Sequence, residues 1–374
     1  MHIDRKTCGS VDTRTAVDNR RILRLAFGIA LAIAVSEAVN WPIAFVTPIL
    51  VGFLLSVPMP APSFKIAVTF VGCLAGALIC SIALLPYLYF ARLAAVLLIC
   101  LALFGSFLIT AAGGSALIGT FLVLTLTLLT TIGSVNIDIF INLSKGLIWS
   151  MSLGIVFVWL AHAFLPDLPP PPTPVSGPEK PTPIAPIAPE RNEAIRSAIR
   201  SVIIVLPVML LFLFINTSGV YTVIMIKVAT MGQQATSRKS RDLAQELLAS
   251  TFWGGVGAIA TWLAIKVFPS LVLYTLAVAL AALLYGRGMF RNGGMHPKAT
   301  MWQYALITMI TLLGPTVGSM ASGQSASDKF WLRLVYFVVI AVYGWLAVTV
   351  FDAFWKNRTA GSVCTNREPT PSGR

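Results

Sequence analysis

The chain has 374 residues, of which 57% are hydrophobic and 11% charged. A soluble domain is about a quarter charged, so this balance excludes a soluble enzyme or binding module and places the chain in a lipid bilayer. The net charge of +13 is spread over polar connections with no compact basic and aromatic patch, which excludes a nucleic-acid partner and suits contact with anionic headgroups.

Residues 1–21 form a polar, basic tail, and the apolar run behind it lacks a small-residue cleavage site, so the first span is expected to stay in the protein as a helix. A bilayer-crossing helix needs about 20 apolar residues. Over residues 22–165 the candidate runs are Ile22 to Val39, Ile43 to Ser56, Ile66 to Leu85, Ala91 to Thr110, Ala116 to Ile132 and Leu143 to Leu165. Then Pro166 to Pro189 packs 11 of the 23 prolines into 24 residues. Proline lacks the N–H a helix needs and holds φ near the polyproline value, so residues 166–195 read as an extended cytoplasmic linker. Over residues 196–355 the runs are Ala198 to Ile215, Val220 to Met231, Leu248 to Phe268, Leu271 to Tyr285, Trp302 to Val317 and Phe330 to Phe354, followed by a cytoplasmic tail over 356–374. The second run of each half is short, as is Leu271 to Tyr285.

Matched details make the halves look like copies. The third runs carry Gly72 with Gly76 and Gly254 with Ala258, small residues one turn apart that suit close helix packing, and Pro86 and Pro269 then mark turns. The fifth runs follow Gly113-Gly114 and Gly293-Gly294 and end in Thr127-Leu128-Leu129-Thr130-Thr131 and Thr311-Leu312-Leu313-Gly314-Pro315-Thr316. The expected fold is an all-α integral membrane protein with about twelve transmembrane helices arranged as two parallel six-helix repeats. With the N-terminus inside, 21 of the 27 basic residues fall on the cytoplasmic side, in keeping with the positive-inside rule.

Polar groups at membrane depth are the candidates for function, because a charge at the helix centre is costly and retained for a use. Lys227, in the eighth run, offers an ammonium to a carboxylate, or else snorkels to the cytoplasmic face. Lys145 reads as interfacial. Glu37 and Asp138 are the carboxyls available for proton coupling, unless they sit in wet loops. Thr127, Thr130 and Thr131 in the fifth run and Thr311 and Thr316 in the eleventh offer hydroxyls, with Thr125 and Thr308 beside them, and Pro315 is expected to interrupt its helix and free backbone groups to line a substrate path. The same threonines can instead bond back to their own helices. The five cysteines lack C-x-x-C spacing, His162 reads as interfacial, and no histidine cluster, P-loop or nucleophile elbow appears, so neither metal, cofactor nor enzymatic chemistry is expected.

The stretch Arg24-Leu25-Ala26-Phe27-Gly28-Ile29-Ala30-Leu31-Ala32 leading to Trp41-Pro42-Ile43-Ala44-Phe45-Val46-Thr47-Pro48, with Gly72-Cys73-Leu74-Ala75-Gly76-Ala77, resembles the fusaric acid resistance and aromatic acid exporter superfamily of bacterial inner-membrane proteins. Better-known members carry a sizeable cytoplasmic domain; with only the proline tract in that place, this chain resembles a short branch. The resemblance implies efflux of aromatic carboxylates or related toxic organic anions across the bacterial inner membrane, with a periplasmic adaptor of the membrane-fusion type. A non-transporting membrane scaffold or assembly factor is the alternative, and a homo-oligomer is compatible with either. Reporter fusions after residues 170 and 360 are expected to read cytoplasm at both positions, and a periplasmic signal at either would remove the twelve-span topology.

Overall fold

The computed structural model describes residues 5–133, 137–168, 191–214, 221–237, 240–291, 293–321 and 326–365. Among them the chain forms α1 (Arg5–Val39), α2 (Val46–Leu55), α3 (Phe64–Phe90), α4 (Arg92–Ala111), α5 (Ala116–Gly133), α6 (Ile137–Phe164), α7 (Arg191–Phe214), α8 (Tyr221–Ser237), α9 (Ser240–Val267), α10 (Leu271–Met289), the two-stranded hairpin β1 (Phe290–Arg291) and β2 (Gly294–Met295), α11 (Ala299–Ala321) and α12 (Ala326–Thr365). Each apolar run corresponds to one helix, with ends that differ by up to 17 residues. The tail expected over 1–21 is instead helical from Arg5, and α12 runs past 356 to Thr365, because extending a formed helix costs far less than starting one. Of the linker, residues 169–190 lie outside the described residues, and 191–195 already belong to α7.

The helices sort into two layers. Eight of them, α1, α3, α4, α6, α7, α9, α10 and α12, are long and apolar enough to cross a membrane, and this is a multi-pass membrane protein. The other four, α2, α5, α8 and α11, sit inside. Every residue of α8 from Ile224 to Thr236 is buried, as is every residue of α11 from Gln303 to Gly314. A helix wrapped by other helices has no lipid to face, which is why α2 can be only ten residues long and α8 can carry Lys227, Gln233 and Gln234. Inner helices touch in the order α2, α11, α8, α5, and the outer pairs α1 with α10 and α4 with α7 close the ring around them. Phe53 of α2 meets Phe121 of α5 and Tyr304 of α11 edge-on, with ring centroids 6.4 and 5.7 Å apart.

Local chemistry sets the connections. α1 stops at Asn40, which takes the left-handed conformation (φ 54°) that asparagine tolerates and donates its N–H to the Ser36 carbonyl at 3.0 Å. Ile43 follows at φ 53°, a strained conformation for a β-branched residue. It is braced by α6, where Ser150 Oγ accepts from the Trp41 indole at 3.0 Å. After α4, Gly113 (φ 94°) and Gly114 send their N–H groups back to the carbonyls of Thr110 and Ile109, a Schellman cap that needs glycine at its first position. The second Gly-Gly pair sits in the β1–β2 turn, where Gly293 has φ 79°.

Two prolines behave differently from expectation. Pro86 lies inside α3 and makes no turn; the chain turns at Ala91, whose φ and ψ of −145° and 68° break the helix. Pro315 likewise lies inside α11, which continues to Ala321 without interruption. Proline removes one helical hydrogen bond, and packing on neighbouring helices holds the remainder of the helix in line. Pro269 does fall between α9 and α10.

Close approach at glycine fixes the helix contacts, since lipid offers no hydrophobic drive for helices to associate. A Cβ on Gly146 of α6 would run into the carbonyl oxygen of Pro42, and one on Gly254 of α9 would stand 2.6 Å from the carbonyl oxygen of Ala305 in α11. Gly344 of α12 takes up the end of Met231 of α8 in the same way. Gly72 and Gly76 differ: nothing in the chain lies within 4 Å of a Cβ at either position, and both face outward. Gly146→Ala is therefore expected to lower stability by about 1–3 kcal/mol, read as a fall in melting temperature of the detergent-solubilised protein. Gly76→Ala, placed in open space on a helix, is expected to leave it unchanged or raise it.

Candidate functional site

Lys227 lies near the middle of α8 and is 3% exposed. Its Nζ donates to Thr308 Oγ1 of α11 at 2.8 Å and stands 5.7 Å from the ring centre of Phe337 in α12. The side chain runs across to α11 and does not snorkel. One turn before Phe337 on α12, Arg333 is 6% exposed and donates from Nη1 to Thr316 Oγ1 at 3.0 Å; its Nε has no partner among the described residues. Two buried cations are thus tied to threonines of one inner helix. At 1.5 Å per residue, Thr308 and Thr316 stand about 12 Å apart along α11.

Among the described residues no carboxylate pairs with Lys227 or Arg333; the ion pairs join Arg24 with Asp167, and Arg196 and Arg200 with Asp352. Removing a charge from water costs several kcal/mol. A hydrogen bond to the ammonium returns about 1.5–3 kcal/mol and the Phe337 face about 2 kcal/mol or less. Part of the desolvation cost of each cation thus stays uncompensated among the described residues.

Further polar groups are buried on the inner helices. The Nε2 of Gln234 in α8, the Oγ1 of Thr125 in α5 and the Oγ1 of Thr47 in α2 are buried without a hydrogen-bond partner among the described residues. Gln233 of α8 approaches Gly119 of α5, where its Nε2 would lie 3.1 Å from a Cβ. By contrast Thr127, Thr130 and Thr131 of α5 give their hydroxyls to the carbonyls of Val123, Leu126 and Thr127 in their own helix, and Thr311 of α11 gives its hydroxyl to Ile307. Thr316 also donates to Leu312 while it accepts from Arg333. A hydroxyl that has donated still accepts, which is how Thr316 serves Leu312 and Arg333 at once.

The remaining candidates separate. Pro315 lies next to Thr316 in the unbroken α11. Glu37, half-buried near the end of α1, lies within electrostatic reach of the buried Tyr274 of α10. Asp138 in the first turn of α6 and Lys145 two turns on are exposed. His162 donates from Nδ1 to the Val158 carbonyl at 2.9 Å. Gly254 and Ala258 pack α9 inward, and Gly254 backs directly onto Thr308, the partner of Lys227.

Sequence reasoning missed Arg333 and, one turn on, Phe337. The signal was present: a guanidinium three residues into an otherwise apolar run that opens at Phe330. It also missed that each half opens with arginines four apart, Arg20 with Arg24 and Arg196 with Arg200.

Residues 21–161 match a protein family described as "Protein of unknown function (DUF2955)". No curated protein and no solved structure matches the chain. The matched stretch runs from α1 into α6 and ends before Lys227, Thr308 and Arg333. Thr308→Val is expected to lower stability by about 1–3 kcal/mol, because it leaves the Lys227 ammonium buried without its acceptor. Lys227→Met in the same background is expected to restore most of the loss, and a double-mutant cycle of melting temperatures measures that coupling.

Proposed function

We propose that this protein is a transporter that exports organic anions, aromatic carboxylates foremost, along a path lined by α8, α11 and α12. The observation that carries the reading is the pair of buried cations, Lys227 and Arg333, held by threonine hydroxyls with no carboxylate paired to either among the described residues. Intramembrane cations facing the interior of a bundle are characteristic of substrate paths. An anion moving along α11 would meet the Arg333 guanidinium and the Lys227 ammonium in succession, about 12 Å apart, with Phe337 beside Lys227 offering a face to an aromatic ring.

The path belongs to a molecule of two parallel six-helix halves, a reading supported by the pattern of contacts. Advancing each helix by six turns α1 with α10 into α7 with α4, α2 with α11 into α8 with α5, α3 with α5 into α9 with α11, and α2 with α6 into α8 with α12; all eight contacts occur. The ion pairs repeat as well: Arg24 midway along α1 meets Asp167 just beyond α6 at 2.6 Å, and Arg200 in the first half of α7 meets Asp352 in the second half of α12 at 3.9 Å. The family match over residues 21–161, close to one half, suits a six-helix unit.

Twelve crossings with both ends in the cytoplasm are supported in turn by the company the connections keep. Residues 14–24, 58–60, 167–168 and 293, which that topology assigns to one face, gather around one cavity. Location in the bacterial inner membrane, and a periplasmic adaptor to carry the substrate onward, follow from the resemblance of Arg24 to Pro48 to aromatic acid exporters. A membrane scaffold that transports nothing is the competing reading.

Lys227→Met keeps much of the side chain's volume and removes its charge, so it is expected to cut export at least tenfold while the protein stays inserted and abundant. Lys227→Arg keeps charge with altered shape and is expected to retain partial activity. Efflux of a panel of aromatic acids from cells, normalised to membrane-inserted protein, measures both. Full activity in the Met variant would remove Lys227 as the anion site, and absence of efflux by the unaltered protein across the panel would favour the scaffold.

A further inference from the structure

A second cationic site lies away from Lys227 and Arg333, along the middle of α1. Arg14, Arg20, Arg21 and Arg24 of α1 line a cavity of about 490 Å³ closed by residues 58–60, Asp167, Leu168 and Gly293. Among the described residues, four guanidiniums and one carboxylate line it. Asp167 is half exposed and engages Arg24 Nη1 at 2.6 Å, and Arg21 Nη1 donates to the Gly293 carbonyl at 3.0 Å. Asp18, just behind the lining, accepts the Gly293 N–H through both oxygens at 3.0 and 3.1 Å. Counting Asp18 as well, the region stays two charges positive.

Arg24 makes this more than a basic surface. Its side chain is 3% exposed, yet its Nε is buried without a hydrogen-bond partner among the described residues, and the same holds for the Nε of Arg20 one turn earlier. Arg20 and Arg24 lie on one face of α1, and the hairpin turn at Gly293 and the Pro58 to Pro60 segment hold the opposite walls. Asp18 and Arg21 tie that turn to α1, so the walls are fixed before any ligand arrives.

We infer that this cavity binds a phosphate group. Planar guanidiniums donate in paired N–H forks that match phosphate oxygens, and several of them around one cavity satisfy a multiply charged, many-acceptor group better than the single carboxylate present. The phosphate reaches the cavity either on an anionic lipid headgroup, as basic pockets between membrane helices allow, or on a soluble phosphate compound. The cavity is separate from Lys227 and Arg333, and its occupancy does not depend on export.

The test uses the full-length protein purified in detergent, with two probes. Inorganic pyrophosphate is titrated calorimetrically, and retention of phosphatidylglycerol against phosphatidylcholine is read by native mass spectrometry. The unaltered protein is expected to bind at least one probe, and Arg14→Gln with Arg20→Gln, which spare the Arg24 and Arg21 contacts, is expected to weaken that binding at least tenfold at unchanged melting temperature. Arg287→Gln with Lys298→Gln, exposed residues outside the cavity that remove the same charge, is expected to bind as the unaltered protein does. Loss confined to phosphatidylglycerol identifies a lipid headgroup as the ligand; loss confined to pyrophosphate identifies a soluble phosphate. Failure of the unaltered protein to bind either probe, or equal binding by both double variants, would overturn the inference.

Discussion

Exclusion of four helices from lipid is the constraint on which the rest of this structure depends. A helix facing hydrocarbon must be apolar over about 20 residues, whereas a helix enclosed by others need only satisfy its neighbours. Once eight outer helices form the wall, α2 can shrink to ten residues and α8 can accept a lysine and two glutamines within three turns. Polar character is thus unevenly distributed: outer helices meet lipid with leucine, isoleucine and valine, and the inner ones concentrate buried hydroxyls and amides, with Lys227 among them.

That arrangement places a demand on packing. The inner helices gain little from burying apolar surface against apolar surface, so they depend on dispersion and on hydrogen bonds made where backbones come close. Gly254 lets α9 press on α11 at Thr308, and Gly344 lets α12 close on α8 at Met231. The hydroxyl that receives the Lys227 ammonium is therefore positioned by a glycine on a third helix. A polar site in such a core is only as well oriented as the glycines behind it.

Much of the fold was legible in the sequence, since hydropathy marks helices whether they face lipid or protein. Layering was not, because inner and outer helices are both apolar, and only the shortness of the second run in each half hinted at it. Prolines misled for a physical reason: Pro86 and Pro315 lack one donor each, but their helices are held by neighbours the sequence does not reveal. Gly72 with Gly76 and Gly254 with Ala258 look alike on paper, yet only the second pair packs inside the chain. Lys227 was legible as a buried charge, but its partner Thr308 and the companion Arg333 required knowing which faces of α8, α11 and α12 meet.

α12 runs unbroken from Ala326 to Thr365 and carries Arg333 and Asp352 nineteen residues apart, about 28 Å of helix and close to the thickness of the bilayer core. Gly344, where it rests on α8, lies nearly midway. A rigid rod supported at its middle transmits displacement with reversed sign. Any tilt that draws Arg333 away from Thr316 swings Asp352 the opposite way against Arg196 and Arg200, so these two contacts are geared together through one strut.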